Sequence, residues 1–161
     1  MTSPTMPVLF HTGMAVHNLD RAMADMSAAF GFHWATPFIS EKSLRTPQGI
    51  RPRTWRLTYS IEGPHHIELF EQLDDTALTG LTGGAVVHHL GFEVDDVATQ
   101  VERLESIGFR HELTDVGIPG TVGGNAFVYN HHGGLWLELI STERRTRLNR
   151  WIDGGAPPNV N

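Results

Sequence analysis

Two histidines and two glutamates stand at matching places in this 161-residue chain. His11 and His89 each precede a glycine by two residues and a valine by five: Gly13 and Val16, then Gly91 and Val94. Glu68 and Glu138 each sit in an alternating stretch, followed by Leu and then a large apolar residue. These stretches are His66-Ile67-Glu68-Leu69-Phe70 and Leu135-Trp136-Leu137-Glu138-Leu139-Ile140. A period of two gives a strand two different faces, so Ile67 and Leu69 take one, and His66, Glu68 and Phe70 the other. A carboxylate that shares a face with an aromatic ring needs a reason, because burying an unpaired charge is very costly. A single Glu on an edge strand is ordinarily solvated, and a single His is ordinarily a surface residue. Two of each at equivalent places point instead to one shared site. Converging carboxylates need a positive centre, which a divalent metal ion supplies.

The elements that must position these residues repeat. Residues 10–32 and 88–109 both read as strand, turn and helix, ending at Gly31-Phe32 and Gly108-Phe109. The offset between copies is 78 residues at the histidines and 77 at those glycines, so one residue is lost within the helix. Val97, Val101, Leu104 and Ile107 fall on one helical stripe, and Ala22, Met23, Met26 and Phe30 form a looser one. Asn18 or Asp20 can cap the first helix and Asp95 or Asp96 the second. Further strands are expected at about 33–39, 53–61 and 66–71, and again at about 110–116, 125–130 and 135–141. Each half therefore reads β-α-β-β-β. The expected organisation is a tail over 1–7, a first module over 8–71, a connector over 72–86 with a Gly-rich patch at 80–84, a second module over 87–142, and a C-terminal helix and tail over 143–161.

Composition sets the outer limits. Hydrophobic residues make up 40% and charged residues 19%, enough apolar surface for a buried core. A formal charge of −6 argues against a nucleic-acid platform. The absence of cysteine excludes disulfides and thiolate sites. The N-terminal MTSPTMPVLF lacks the basic and apolar regions of a secretory signal, and no run is long enough to span a membrane. A cytoplasmic protein without membrane or nucleic-acid partners is the expectation.

The two His-x-Gly-x-x-Val openings, the VDDV after the second and the two Ile/Leu-Glu-Leu endings resemble the vicinal oxygen chelate superfamily. That superfamily includes glyoxalase I, methylmalonyl-CoA epimerase, fosfomycin-resistance proteins, extradiol dioxygenases and bleomycin-binding proteins. The resemblance covers roughly residues 8 to 142. It implies an α+β, glyoxalase-like fold, in which two βαβββ modules enclose a metal cleft, and a homodimer. Carried over by position, the metal ligands are His11, Glu68, His89 and Glu138, with the repeat register selecting His89 over His88. The set resembles the metal sites of bacterial glyoxalase I, whereas the epimerase pattern has Gln where Glu68 stands. No match to the glutathione-binding residues of glyoxalase I is evident.

Such a set suits one borderline divalent ion: Ni, Co, Mn, Fe or Zn. Four protein ligands on an octahedral ion leave two adjacent positions for neighbouring substrate oxygens. The leading expectation is a metal-dependent isomerase, epimerase or lyase that enolises a small, partly apolar substrate next to a carbonyl, with Glu138 or Glu68 moving the proton. An Fe(II) extradiol-type dioxygenase using His11, His89 and Glu138, and a non-catalytic drug-binding protein of the same fold, are the alternatives. Phe70 and Trp136 share the faces of their glutamates and, with Trp55, Phe38 and Phe127, are candidates for an apolar substrate wall. The stretch Ser40 to Pro52 reads as a loop, either solvated or an anion clamp carrying Lys42, Arg45 and Arg51, with Arg53 and Arg56 just after it. The C-terminal helix, from Glu143 through Trp151, reads as a surface appendage or dimer contact.

Overall fold

The computed structural model describes residues 6–74, 86–115, 125–130 and 133–158. The glycine patch at 80–84, the turn region near 117–123, and His131 and His132 lie outside the described residues. The first half runs β1 (Val8–Ala15), α1 (Leu19–Phe30), β2 (Phe38–Thr46), β3 (Gly49–Tyr59) and β4 (His66–Gln72). The second runs β5 (Val86–Val94), α2 (Val97–Ser106), β6 (Arg110–Asp115), β7 (Asn125–Asn130) and β8 (Leu135–Ser141), and α3 (Thr142–Ile152) follows. Two βαβββ modules are therefore present.

The eight strands close into a barrel in the order β1-β4-β3-β2-β6-β7-β8-β5. Within each module the first strand pairs in parallel with the last, and the remaining neighbours are antiparallel. Two antiparallel seams join the modules. One is the long β1–β5 pair; the other is short, pairing Leu44 with Asp115 and Arg45 with Thr114.

The two-faced strands explain where the helices sit. Leu69 and Ile67 pack outward beneath α1, against Leu19, Ala22 and Met23. Leu139 and Leu137 pack outward beneath α2, against Val97, Val101 and Leu104. The Asn18 side chain caps α1 by accepting from Arg21 N at 2.8 Å, and Asp96 caps α2 by accepting from Thr99 N at 3.0 Å. Gly31 ends α1 with φ of +75°, a conformation glycine adopts without strain. Ile107 lies beyond the end of α2 and is exposed, as is Phe30 at the last position of α1, so neither completes its stripe.

Three expectations need correction. The strand expected over 33–39 starts only at Phe38, and Trp34 makes just an isolated bridge to Ser60. The stretch Ser40 to Pro52 is a β2–β3 hairpin rather than a loop. Its strands pair from Phe38 with Leu57 to Thr46 with Gly49, and Thr46 Oγ1 donates to the Gly49 carbonyl at 2.8 Å in the turn. Ser40 and Leu44 are buried two register steps apart, a period-two signal masked by the charged residues between them.

The third correction concerns α3, which is no surface appendage. Leu148, Trp151 and Ile152 are buried with Phe10, Ala35, Tyr59 and Ile140 in one core cluster. Trp151 Nε1 donates to the Thr36 carbonyl at 3.0 Å. The helix thus joins the two modules' apolar surfaces. Trp151→Ala is expected to destabilise the protein by about 3–5 kcal/mol, read from urea unfolding. A loss below about 1 kcal/mol would contradict this packing role.

Candidate metal centre

Four neighbouring strands, in the order β4-β1-β5-β8, carry the site across the long seam. Gly13 pairs with Glu68 on one side and His89 on the other. Gly91 pairs with His11 on one side and Glu138 on the other. Ligand-type residues and glycines therefore alternate along two neighbouring rows of the sheet, Glu68-Gly13-His89 and His11-Gly91-Glu138. The glycines have a steric reason. A Cβ at Gly13 would lie 2.1 Å from Cε1 of His89, and one at Gly91 would lie 2.0 Å from Cε1 of His11. Each imidazole lies over the glycine of the opposite strand, so the repeated His-x-Gly motif is one reciprocal contact made twice.

This places His11, Glu68, His89 and Glu138 together within one chain, all buried. One ligand atom from each lies within 4.8 Å of the others. The two Nε2 atoms are 2.9 Å apart. Glu68 Oε2 is 3.1 Å from His89 Nε2 and 3.4 Å from His11 Nε2; Glu138 Oε2 is 3.1 Å from His11 Nε2 and 3.4 Å from His89 Nε2.

The electrostatics agree with a cation-holding centre. Burial pulls the pKa of His89 down, but hydrogen bonding and charge from Glu138 and Glu68 outweigh it and raise the value to about 9. The same balance raises His11. Burial pushes Glu68 up, but the two imidazoles overcome this and lower it to about 2. Glu138 is held well below the usual carboxylate range for the same reasons. Two carboxylates thus draw positive charge to one buried point. Glu68 Oε2 is buried and, apart from the two imidazoles, has no hydrogen-bond donor among the described residues, so a metal ion can take that place. The two-imidazole, two-carboxylate set matches a borderline divalent ion.

Outer partners differ between the modules. Asn125 Nδ2 donates to Glu138 Oε1 at 2.7 Å, leaving Oε2 for the imidazoles. Among the described residues, no such amide serves Glu68. Opposite Glu68 in register stands Tyr59, whose phenol is kept protonated by burial and by the carboxylates' charge, which raise its pKa well above 10. On β5 a register shift after Gly13 turns both His88 and His89 toward the interior, and their Nδ1 atoms lie 2.9 Å apart. Such a contact fixes a ligand ring. Sequence periodicity missed Asn125, Tyr59 and His88 as neighbours of the site. The adjacent His88-His89 pair was a signal, but alternation assigns neighbours to opposite faces unless a bulge is known.

The site lies at a cavity that opens to solvent. Glu68, His89 and Glu138 border it, and Trp55, Leu57, Phe70, Leu113 and Phe127 give it an apolar wall. Trp55, Phe70 and Phe127 thus sit where a substrate wall was expected. Trp136 does not line the cavity directly; its ring stacks on His88, which does, with centroids 5.6 Å apart. Phe38 packs edge-on against Trp151 at 4.9 Å, in the core below. His66, on the same strand as Glu68, has a structural contact: its Nδ1 donates to the Ser60 carbonyl at 2.8 Å.

The sequence profile of the Glyoxalase/Bleomycin resistance protein/Dioxygenase superfamily matches residues 10–129. The chain belongs to this superfamily, the vicinal oxygen chelate group that its motifs resemble. No curated protein sequence matches it. Among solved structures, methylmalonyl-CoA epimerase from Mycobacterium tuberculosis is similar, with TM-score 0.58 and 22% identity over 88% of this chain and 91% of that one. A hypothetical protein from Bacillus halodurans aligns with TM-score 0.60 and 16% identity over 86% of this chain and 96% of that one. A variant of Streptomyces coelicolor methylmalonyl-CoA epimerase, in complex with 2-nitronate-propionyl-CoA, gives 0.58 and 21% over 86% and 95%. At these identities the likeness concerns the fold. Among the described residues, no helix is long and apolar enough to cross a membrane.

Proposed function

We propose that the protein is a metal-dependent isomerase, epimerase or lyase that moves a proton next to a carbonyl of a small, partly apolar substrate. The observation that carries this reading is the buried convergence of His11, Glu68, His89 and Glu138 at an apolar cavity. These four residues would hold one divalent ion, which when bound supplies Lewis-acid stabilisation of a carbonyl oxygen. The chain's own groups do the rest. Trp55, Phe70 and Phe127 hold the apolar part of the substrate and exclude water. Asn125 fixes Glu138 as a steady ligand. Glu68, without an amide donor, is the carboxylate free to leave its place and take the proton at Oε2. The phenol of Tyr59 stays protonated beside it and can donate to the carboxylate.

Relatives of this fold called methylmalonyl-CoA epimerases support a proton-transfer reaction in general terms, while the reaction type here rests on the four side chains. The dioxygenase alternative uses three protein ligands and would need Glu68 to stand off. Its Oε2 is as near to His89 as that of Glu138 is to His11. The test is solvent exchange. Protein loaded with each candidate metal in turn is incubated in D₂O with a panel of thioesters and 2-oxo acids, and carbon-bound deuterium is followed by NMR. Exchange at the carbon next to the carbonyl, above that of chelator-treated protein, is the expected result. No exchange across the panel, together with oxygen uptake on a catechol, would overturn the reading in favour of the dioxygenase.

A further inference from the structure

We propose that His88 is a positioning residue that makes His89 the anchoring imidazole of the metal centre and leaves His11 the weaker one. The inference rests on the metal-dependent reading above and adds an inequality within the quartet. His11 and His89 are equivalent in the repeat, and so are the residues before them, Phe10 and His88. The β1–β5 register slips at both places. Leu9 pairs with Phe92 and His11 with Gly91, so Phe10 is the extra residue on β1; Gly13 pairs with His89 and Met14 with Val87, so His88 is the extra residue on β5. A bulge of this kind breaks alternation and turns the extra side chain toward its neighbour's face. The outcome is the same geometry twice. Phe10 stands edge-on to His11, with centroids 5.4 Å apart at 90°, and His88 stands edge-on to His89, at 5.2 Å and 86°.

The chemistry of the two neighbours differs. Both ligand rings turn Nε2 to the carboxylates. An imidazole that gives Nε2 to a metal carries its proton on Nδ1, and that N–H needs an acceptor. His89 has one, because its Nδ1 lies 2.9 Å from Nδ1 of His88. A phenyl ring offers no nitrogen, and Nδ1 of His11 is buried with no hydrogen-bond partner among the described residues. His11 therefore lacks the contact that fixes a ligand ring and raises its basicity.

Surroundings explain why the modules diverge at this place. Phe10 lies in the apolar cluster beneath α3, with Tyr59, Leu148 and Trp151. His88 borders the cavity instead. Its ring is clamped there, stacked on Trp136 with centroids 5.6 Å apart at 18° and edge-on to Phe70 at 5.4 Å. These aromatic contacts hold the acceptor to which His89 donates.

The test compares zinc affinity, by competition with a chromophoric chelator, in wild type, His88→Phe and His88→Asn. His88→Phe copies the first module and keeps an aromatic ring beside Trp136 and Phe70; it is expected to lower affinity about 10–100-fold. His88→Asn removes the ring but returns an acceptor oxygen near the place of Nδ1, and is expected to restore most of the affinity. A merely structural role for His88 predicts the reverse order. In zinc-loaded wild type, the Nδ1–H proton of His89 is expected downfield of that of His11 in long-range ¹H–¹⁵N spectra. Wild-type affinity in His88→Phe, or a larger loss in His88→Asn than in His88→Phe, would overturn the proposal. So would equal Nδ1–H shifts for the two ligands, a comparison that needs no variant to fold. If the wild type takes up no zinc, cobalt or nickel, the metal-centre reading itself fails, an outcome separable from the others.

Discussion

Gly91→Ala is expected to lower metal affinity by at least about 100-fold while leaving the barrel assembled. The added methyl carbon would stand 2.0 Å from Cε1 of His11, a separation that real Cβ atoms do not reach. The ring cannot readily move aside. His11 is fully buried and packs edge-on against Phe10, Tyr59 and His89, with centroids 5.4, 5.2 and 5.1 Å away. Displacing the ring takes a ligand nitrogen out of the quartet; keeping it costs about 1–3 kcal/mol of overpacking. Gly13→Ala should act in the same way through His89, whose Cε1 would be 2.1 Å from the new atom. Metal titration and thermal unfolding, measured side by side, separate the two costs. Wild-type affinity in both variants would mean that the imidazoles do not lie over the glycines.

Glu68→Gln is expected to keep the metal and lower kcat by roughly 10²–10⁴-fold. The amide oxygen of Gln remains a ligand, but it cannot accept and return a proton at neutral pH. Glu138→Gln should cost less in kcat and more in metal affinity. The reason is the asymmetry of outer contacts: Asn125 orients the Glu138 carboxylate, while no amide among the described residues orients Glu68. Once a substrate from the exchange panel is known, kcat and metal affinity of the two variants decide the matter. The opposite pattern, with kcat lost chiefly in Glu138→Gln, would assign the proton to the second module.

Much of this centre was legible in the sequence because a duplicated module reveals its own constraints. Equivalent positions for His11 and His89, and for Glu68 and Glu138, need no knowledge of pairing partners. The outward faces at Ile67-Leu69 and Leu137-Leu139 follow from simple alternation, and both lie under helices as the period requires. What could not be read depends on contacts across strands. The steric reason for Gly13 and Gly91 needs the antiparallel register of β1 on β5. The inward turn of His88 needs a bulge that breaks alternation. Lys42 hid a strand because Ser40, Lys42 and Leu44 look like loop composition, although they face a cavity. Trp151 looked superficial because four arginines precede it in α3, yet the helix turns its apolar side into the core.

The centre itself is tested most directly by elemental mass spectrometry of the purified protein, with Glu68→Ala and Glu138→Ala measured alongside the wild type after equal exposure to divalent ions. About one ion per chain in the wild type, lost in both variants, is the result the four-ligand centre predicts. Metal lost only in Glu138→Ala would contradict it and leave the three-ligand, dioxygenase-type centre. No metal in any form after reconstitution would contradict metal-dependent chemistry altogether and leave a ligand-binding protein.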